Sequence, residues 1–198
     1  IYLIGLRFAE LLGTLREEEY RKIVDELLLI PSKIETILEH KETIQYYASI
    51  YFNHDSVFFI GRNIDYAVGL EGSLKLKEIS YIHSEAYAAG ELKHGTISLI
   101  TEGTPVIALA TQRRLLGKMI SNVKEVKARG AHVLLITLEG LEIDPDCCDE
   151  LLRLPAVEDE YVPLLLVVTL QLIALGAAEV RGCDVDKPRN LAKSVTVE

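Results

Sequence analysis

The stretch TPVIALATQRRLLGKMISNVKEVKARGAHVLLITL, residues 104–138, decides the fold class of this chain. It opens with the short apolar run TPVIALA and closes with a second one, HVLLITL. Such runs are typical of strands that are buried on both faces of a parallel sheet. The segment between them has the apolar spacing of an amphipathic helix and ends at Gly130. The stretch therefore predicts a strand, a helix and a second strand.

The sequence on both sides continues this alternation. SVFFIG from Ser56 predicts another buried strand, GLEGSLKLKEISYI from Gly69 predicts a helix, and ELLRLPAV predicts a short edge or half-buried strand. The apolar run from Pro163 predicts a helix buried between the sheet and a second subunit. A membrane span is the alternative, although the run is shorter than the roughly 20 residues that a bilayer needs. Together these segments predict a parallel α/β sheet covered by helices on both faces.

The segments at the two ends of the chain fall outside this pattern. Helical segments come first, and Pro31 is expected to open a further helix, PSKIETILEHKETIQYYASIYF. The polar stretch after residue 181 is expected to form an extended tail. The chain begins with Ile1 and its single methionine is Met119, so we expect it to be a piece of a longer polypeptide.

Composition narrows the function classes. The chain has 198 residues, 49% of them hydrophobic and 26% charged, which is typical of a soluble globular protein and argues against disorder. Its formal net charge of -9 argues against a general nucleic-acid binder. The three cysteines, Cys147, Cys148 and Cys183, form no C-x-x-C pair, so we expect no disulfide framework and a cytoplasmic protein.

Ionisable residues are densest in LEGSLKLKEISYIHSEAYAAGELKHG, residues 70–95. On a helix, Glu71, Lys75 and Glu78 fall on one narrow stripe. The stripe is either a solvated ion-pair ladder or a general base, Glu78, with its partners. His94 is either an ordinary surface or core histidine or a proton-transfer group. Lys193 is either a solvated lysine of the tail or a Schiff-base nucleophile.

Other motifs carry weaker signals. His83 and Glu85 are candidate metal ligands without a convincing third ligand, so no metal site is predicted. No G-x-G-x-x-G or Walker pattern is present, and no cofactor is predicted. GRNIDY from Gly61 follows a predicted strand, at the position where α/β proteins bind ligands.

The 70–95 string and the closing DVDKPRNLAKSVTVE together resemble the C-terminal isomerase part of the glutamine–fructose-6-phosphate aminotransferase (glucosamine-6-phosphate synthase) family. Members of that family have a glutaminase domain followed by two sugar-isomerase (SIS) domains. The resemblance implies a three-layer αβα SIS domain with a parallel, flavodoxin-like sheet. It also implies that residues 1–35 are the end of the preceding SIS domain and its linker helices, 36–181 the second SIS domain, and 182–198 a C-terminal tail that acts as a lid.

The resemblance further implies an activity. The family converts fructose 6-phosphate and glutamine-derived ammonia to glucosamine 6-phosphate through a lysine Schiff base and a C1/C2 proton transfer. The implied partners are the sugar phosphate, a second copy of the chain, and the glutaminase and first SIS domains, with no nucleic acid and no membrane. The implied roles are Schiff-base lysine for Lys193, proton-transfer base for Glu78, helix-face partners for Lys75 and Glu71, ring-opening acid/base in the neighbouring subunit's site for His94, backbone sugar contact for Ala192, and sugar-covering tail residues for Arg189 and Asn190.

Two departures from the family pattern limit the activity of this chain. The Ser/Thr-rich loop that holds the sugar phosphate is absent, and the matching position after TPVIALA has TQRRLL. No cysteine lies near the chain start, where a glutaminase would need one. We therefore expect the chain alone to be inactive. The alternatives are a stand-alone SIS module that senses a sugar phosphate, a fructosamine deglycase relative, and a dimerisation scaffold.

Overall fold

The apolar runs form a five-stranded parallel sheet in a computed structural model that describes residues 1–51 and 53–191. The strands are β1 (Ser56–Gly61), β2 (His83–Ala88), β3 (Pro105–Leu109), β4 (His132–Leu138) and β5 (Glu150–Leu154). The helices are α1 (Tyr2–Leu12), α2 (Glu17–Glu39), α3 (Lys41–Tyr51), α4 (Ile64–Ser80), α5 (Leu116–Lys127) and α6 (Val162–Val180). The strand order is β2-β1-β3-β4-β5, which is the flavodoxin-like order.

The sheet separates two hydrophobic clusters, because successive side chains of a strand point to opposite faces. On one face, Phe59 and Ile136 belong to the cluster that includes residues of α3, α4 and α6. On the other face, Phe58 and Leu135 pack with α5, whose Val123 is fully buried. The layers are therefore helix, sheet and helix, and the predicted three-layer α/β architecture is confirmed.

Helix α6 is the predicted apolar helix, and it packs closely against two neighbours. A Cβ on Gly72 of α4 would lie 2.5 Å from the Cδ1 of Leu170, and one on Gly176 would lie 2.9 Å from the Cβ of Ala48. Within the described residues, α6 alone is long and apolar enough to span a bilayer, but 56% of its most apolar window is buried inside the fold. This burial is typical of a core helix. The expected second subunit on its outer face stays a prediction.

The prediction that Pro31 opens a new helix is wrong, because Pro31 lies inside α2. The apolar positions from Ile23 to Ile37 keep helical spacing across the proline, and they pack on the core. This packing outweighs the hydrogen bond that an exposed proline removes from the helix. The break comes later, at His40, between α2 and α3.

One helix boundary and one strand also differ from the sequence-based expectation. Helix α4 begins at Ile64 rather than Gly69, and it ends at Ser80. Strand β2 was not predicted, because HSEAYA lacks the continuous apolar character of the central strands. It lies at the sheet edge and pairs only with β1. The predicted edge strand, ELLRLPAV, is confirmed as β5 at the opposite edge.

Candidate active site

Helix α4 is held to the sheet by its inner side. The buried residues of that side include Val68, Gly72, Ser73, Leu76 and Ser80. The Ser73 hydroxyl donates to the backbone oxygen of Ser84 on β2 (3.0 Å), and the Ser84 hydroxyl donates to the backbone oxygen of Ser73 (2.9 Å). These reciprocal buried bonds fix the position of α4 along β2, and with it the position of every side chain on its outer side.

The outer side of α4 carries the predicted stripe. The Lys75 ammonium donates to an Oε of Glu78 at 2.6 Å and lies 3.7 Å from an Oε of Glu71. About 30% of the Lys75 side chain and 28% of the Glu78 side chain are exposed, against 43% for Glu71. The structure therefore brings the three residues together, with the lysine between two carboxylates.

The charge state of Lys75 follows from these contacts. The hydrogen bond that it donates to Glu78 raises the pKa of Lys75 above its ordinary value, and the charges of Glu78 and Glu71 add to this, while partial burial opposes it. Lys75 thus stays protonated at neutral pH. A fixed ammonium therefore lies within hydrogen-bond distance of the Glu78 carboxylate, the group that would act as a general base.

The C-terminal tail returns to the end of α4. The Cys183 thiol lies 3.9 Å from the backbone oxygen of Ser80. Further along, the Arg189 backbone N–H donates to the Tyr81 hydroxyl (2.8 Å), and the Arg189 guanidinium carbon lies 4.0 Å from the centre of the Tyr81 ring. Asn190 follows with a positive φ of 61°.

Three predicted site residues are not placed beside the stripe. Ala192 and Lys193 lie outside the described residues. His94 is exposed and lies in a 3-10 turn that follows the carboxyl end of β2. Helix α4 ends near the amino ends of the strands, where β2 begins, whereas His94 follows the carboxyl end of β2, so His94 is not brought to Glu78 of the same chain.

The positional candidate GRNIDY lies at the topological switch point, between β1 and β3. Asp65 is 2% exposed and accepts hydrogen bonds from the Thr111 backbone N–H (2.9 Å) and hydroxyl (2.5 Å). Burial raises the pKa of Asp65 to about 6, although the Thr111 hydrogen bonds oppose the shift. Arg62 donates to the side-chain oxygen of Asn122 (2.8 and 3.0 Å). The Arg62 guanidinium thus has a partner within the fold, and a carboxylate lies where a phosphate would need positive charge.

The weaker candidates gain no support from geometry. His83 Nε2 lies 3.9 Å from a Glu85 carboxylate oxygen. Within residues 1–51 and 53–191, no group of three or more His, Cys, Asp or Glu could hold a metal ion. Burial raises the pKa of the Cys148 thiol to about 12, so it is a poor nucleophile near neutral pH.

The side chains of the Glu71–Lys75–Glu78 stripe are all partly exposed. A cavity of about 210 Å³ lies elsewhere, between the α2–α3 junction and β5, and its lining includes Ile37, Tyr47 and Leu152. Proton transfer at a carbon requires a site closed to bulk water. The stripe therefore needs a further surface to complete a closed site.

Sequence reasoning missed two polar residues, Asp65 and Tyr81. Asp65 sits in the first turn of α4, where a carboxylate is favoured by the helix dipole, but this signal was hidden because the helix was predicted to begin at Gly69. Tyr81 follows the last residue of α4 and has a left-handed backbone with φ 61°. Glycine or asparagine usually marks such a position, so nothing in the sequence predicted it.

Comparisons with known proteins agree with this fold. The SIS domain family model matches residues 50–181. A glutamine–fructose-6-phosphate aminotransferase (isomerizing) from Clostridium acetobutylicum is 54% identical over 198 residues, and one from Caldanaerobacter subterraneus is 55% identical over 199. Both alignments cover 100% of this chain and 33% of the relative, so the chain spans about a third of the length of these relatives.

A solved structure is also similar. The C-terminal domain of glucosamine-fructose-6-phosphate aminotransferase from Francisella tularensis superposes with a TM-score of 0.87 and is 34% identical. The superposition covers 93% of this chain and 52% of that one. The family match, which includes the whole sheet and α4, is the basis for the assignment: the chain belongs to the SIS domain family.

Proposed function

We propose that this chain is the C-terminal isomerase part of a glutamine–fructose-6-phosphate aminotransferase, an enzyme that makes glucosamine 6-phosphate from fructose 6-phosphate and glutamine-derived ammonia. The observation that carries the proposal is the contact of the tail with the end of α4, the helix that carries the stripe. Arg189 contacts Tyr81, three residues after Glu78, although 108 positions separate Arg189 from Tyr81. The 54% identity to a named aminotransferase over the whole chain supports the same conclusion.

In this proposal the tail supplies the nucleophile. The Lys193 amine, once deprotonated, adds to the C2 ketone of the opened sugar, and loss of water gives an iminium. Ammonia then displaces the lysine amine from C2. Glu78 takes the proton from C1 and returns a proton to C2, so that a ketose derivative becomes an amino-aldose. Lys75 lies between Glu71 and Glu78, stays charged, and fixes the position of the Glu78 carboxylate.

The remaining roles come from the neighbouring surfaces. His94 follows the carboxyl end of β2, whereas Glu78 lies on α4 near the amino end of that strand, and this separation supports the action of His94 as ring-opening acid/base in a second subunit's site. Arg189, Asn190 and Ala192 belong to the segment that would cover the sugar. The phosphate would be held by the preceding SIS domain, because the switch point of this domain contains the buried carboxylate of Asp65. That carboxylate also argues against a stand-alone sugar-phosphate sensor.

We propose the domain boundaries on the same basis. Residues 1–35 form the end of the preceding SIS domain and its linker, 36–181 the second SIS domain, and 182–198 the tail. Exposed apolar side chains on α1, such as Leu3, Phe8 and Leu12, support the packing of this helix against that preceding domain. We place the enzyme in the cytoplasm, since its three cysteines are free thiols.

Borohydride trapping tests the proposal. The full-length polypeptide and this chain are each incubated with fructose 6-phosphate, reduced and digested for mass spectrometry. We expect a sugar adduct on Lys193 in the full-length protein and none in the chain alone. Lys187→Gln, at an exposed position of the same tail, is the matched control and should keep the adduct. An active full-length enzyme without an adduct on Lys193 would contradict the Schiff-base role.

A further inference from the structure

The residue after α4 has an unfavourable backbone conformation. Tyr81 has φ 61° and ψ 16°, in the left-handed region where a side chain is strained and glycine is preferred. Tyr81 belongs to neither of the two hydrophobic clusters that the described residues form. Core packing therefore does not explain the choice of a large aromatic side chain at this position. A strained position of this kind persists when its side chain makes contacts that matter elsewhere.

Within the described part of the chain, those contacts are with Arg189. The Tyr81 hydroxyl accepts the Arg189 backbone N–H at 2.8 Å, and the ring faces the guanidinium at 4.0 Å. One tyrosine therefore holds both the main chain and the side chain of one tail residue.

The tail is fixed before this contact as well. Cys183 lies against Ser80, and the Asp184 carboxylate accepts the backbone N–H groups of Asp186 (3.0 Å) and Lys187 (3.1 Å) in a tight turn. The chain from Cys183 to Arg189 is thus tied at both ends to consecutive residues, Ser80 and Tyr81.

This attachment limits how far position 193 lies from the stripe. Four residues of fully extended chain span at most about 14 Å beyond Arg189. Glu78 precedes Tyr81 by three residues, which correspond to a rise of about 4.5 Å along a helix. If the contact is released, the nearest remaining attachment within the described residues is at Cys183, ten positions before 193 in the sequence.

We propose that Tyr81 is a positioning residue for the Schiff-base lysine: it holds Arg189 and so keeps the tail at the end of α4, the helix that carries Glu78. This inference rests on the proposed function, because it takes Lys193 as the nucleophile. Tyr81 touches no reacting atom in this role. The contact restricts the positions that the tail lysine can take, and so keeps its amine near the sugar carbonyl. Such proximity raises the rate of the addition.

The first test uses this chain alone and needs no activity. Tyr81→Gly removes the ring and hydroxyl and suits the left-handed backbone. We expect its Tm to stay within about 4 °C of the wild type, the shift that small changes produce in a chain of this size. Trypsin should cleave after Arg189 at least about tenfold faster, because the guanidinium is no longer held. Lys187 precedes a proline, so cleavage there does not interfere.

The second test uses the full-length enzyme. Tyr81→Gly should lower kcat and the rate of borohydride trapping on Lys193 by about 10–100-fold, the range expected when a reacting group is misplaced. The KM for fructose 6-phosphate should change less than threefold, because the phosphate is bound elsewhere. Tyr81→Phe keeps the ring over Arg189 and should recover most of the rate. Tyr46→Ala, on exposed α3 surface, should match the wild type.

The outcomes separate the inference from the proposed function. Wild-type trapping and cleavage rates in Tyr81→Gly would overturn the inference alone. A Tm loss of more than about 10 °C in Tyr81→Gly would make Tyr81 a structural residue and also overturn it. The absence of an adduct on Lys193 in the active wild-type enzyme would instead overturn the Schiff-base proposal, and the inference with it.

Discussion

At the scale of single residues, the pairing of Glu78 with Lys75 leads to a prediction about catalysis. Glu78→Gln in the full-length enzyme keeps the size of the side chain but removes the base. We expect kcat to fall by about 10²–10⁴-fold, the usual contribution of a general base. The adduct on Lys193 should still be trapped, because Schiff-base formation precedes the proton transfer.

The control for Glu78 lies one residue away. Lys77 is exposed on the same helix but off the stripe, so Lys77→Gln should leave kcat within about twofold. Steady-state formation of glucosamine 6-phosphate measures both variants. A Glu78→Gln enzyme with near wild-type kcat would assign the stripe to a solvated ion-pair ladder instead.

Asp65 leads to a second residue-scale prediction, on stability. Its pKa is raised from 3.8 to about 6 by burial. The folded state therefore binds the proton more tightly than the unfolded state, and the stability present at acidic pH is lost as pH rises through 6. The shift corresponds to about 2–3 kcal/mol at 1.36 kcal/mol per pKa unit. Neighbouring Asp159 adds to the shift in the same direction.

Asp65→Asn tests this linkage. The amide oxygen can accept the Thr111 N–H and the amide nitrogen can donate to its hydroxyl, so both contacts have a replacement. We expect the free energy of unfolding of the variant, relative to that of the wild type, to increase when the pH is raised from 4.5 to 8. Urea unfolding of this chain at the two pH values measures the difference. A stability difference that does not change with pH would show that Asp65 ionises normally.

At the scale of elements, the close approach of α6 to α3 and α4 depends on missing side chains. Gly176→Ala places a Cβ 2.9 Å from the Cβ of Ala48 and 3.2 Å from the Cα of Gln45, and neither atom can rotate away. We expect overpacking to lower the free energy of unfolding by about 1–3 kcal/mol, although alanine is the better helix former.

Gly117→Ala in α5 is the matched control. Its Cβ would meet nothing within 4 Å, so the substitution should raise the free energy of unfolding by up to about 1 kcal/mol.

Urea unfolding of the two glycine variants under identical conditions gives the comparison. Equal effects of the two substitutions would mean that helix propensity, and not helix contact, governs these positions. Contacts between elements also explain two differences from the sequence-based expectation, the helix that continues through Pro31 and the unpredicted strand β2. The core contacts of α2 carry the helix through Pro31, and the single neighbour of β2 allows polar residues such as His83 in a strand.

At the scale of the whole molecule, the residues of the proposed site lie on separate surfaces. The stripe lies on α4, Arg189 contacts Tyr81 at the end of that helix, and His94 follows the carboxyl end of β2. We predict that this chain alone turns over fructose 6-phosphate and ammonia at less than about a thousandth of the full-length rate, since positioning and enclosure of the substrate account for such factors. Measurable turnover near the full-length rate would contradict the shared-site proposal.

Local sequence determined much of this protein. Continuous apolar runs bounded by turn residues give doubly buried strands, and the 3.6-residue period places Glu71, Lys75 and Glu78 together, because both features depend on near neighbours in the chain. Three other features depend on tertiary structure alone: the edge strand β2, the buried Asp65–Thr111 contact, and the Tyr81–Arg189 contact. The last two join residues 46 and 108 positions apart, and no local period encodes such distances. Both contacts depend on the packing of α4 against the sheet. Asp65, in the first turn of α4, meets Thr111, and Tyr81, directly after the last residue of α4, meets Arg189.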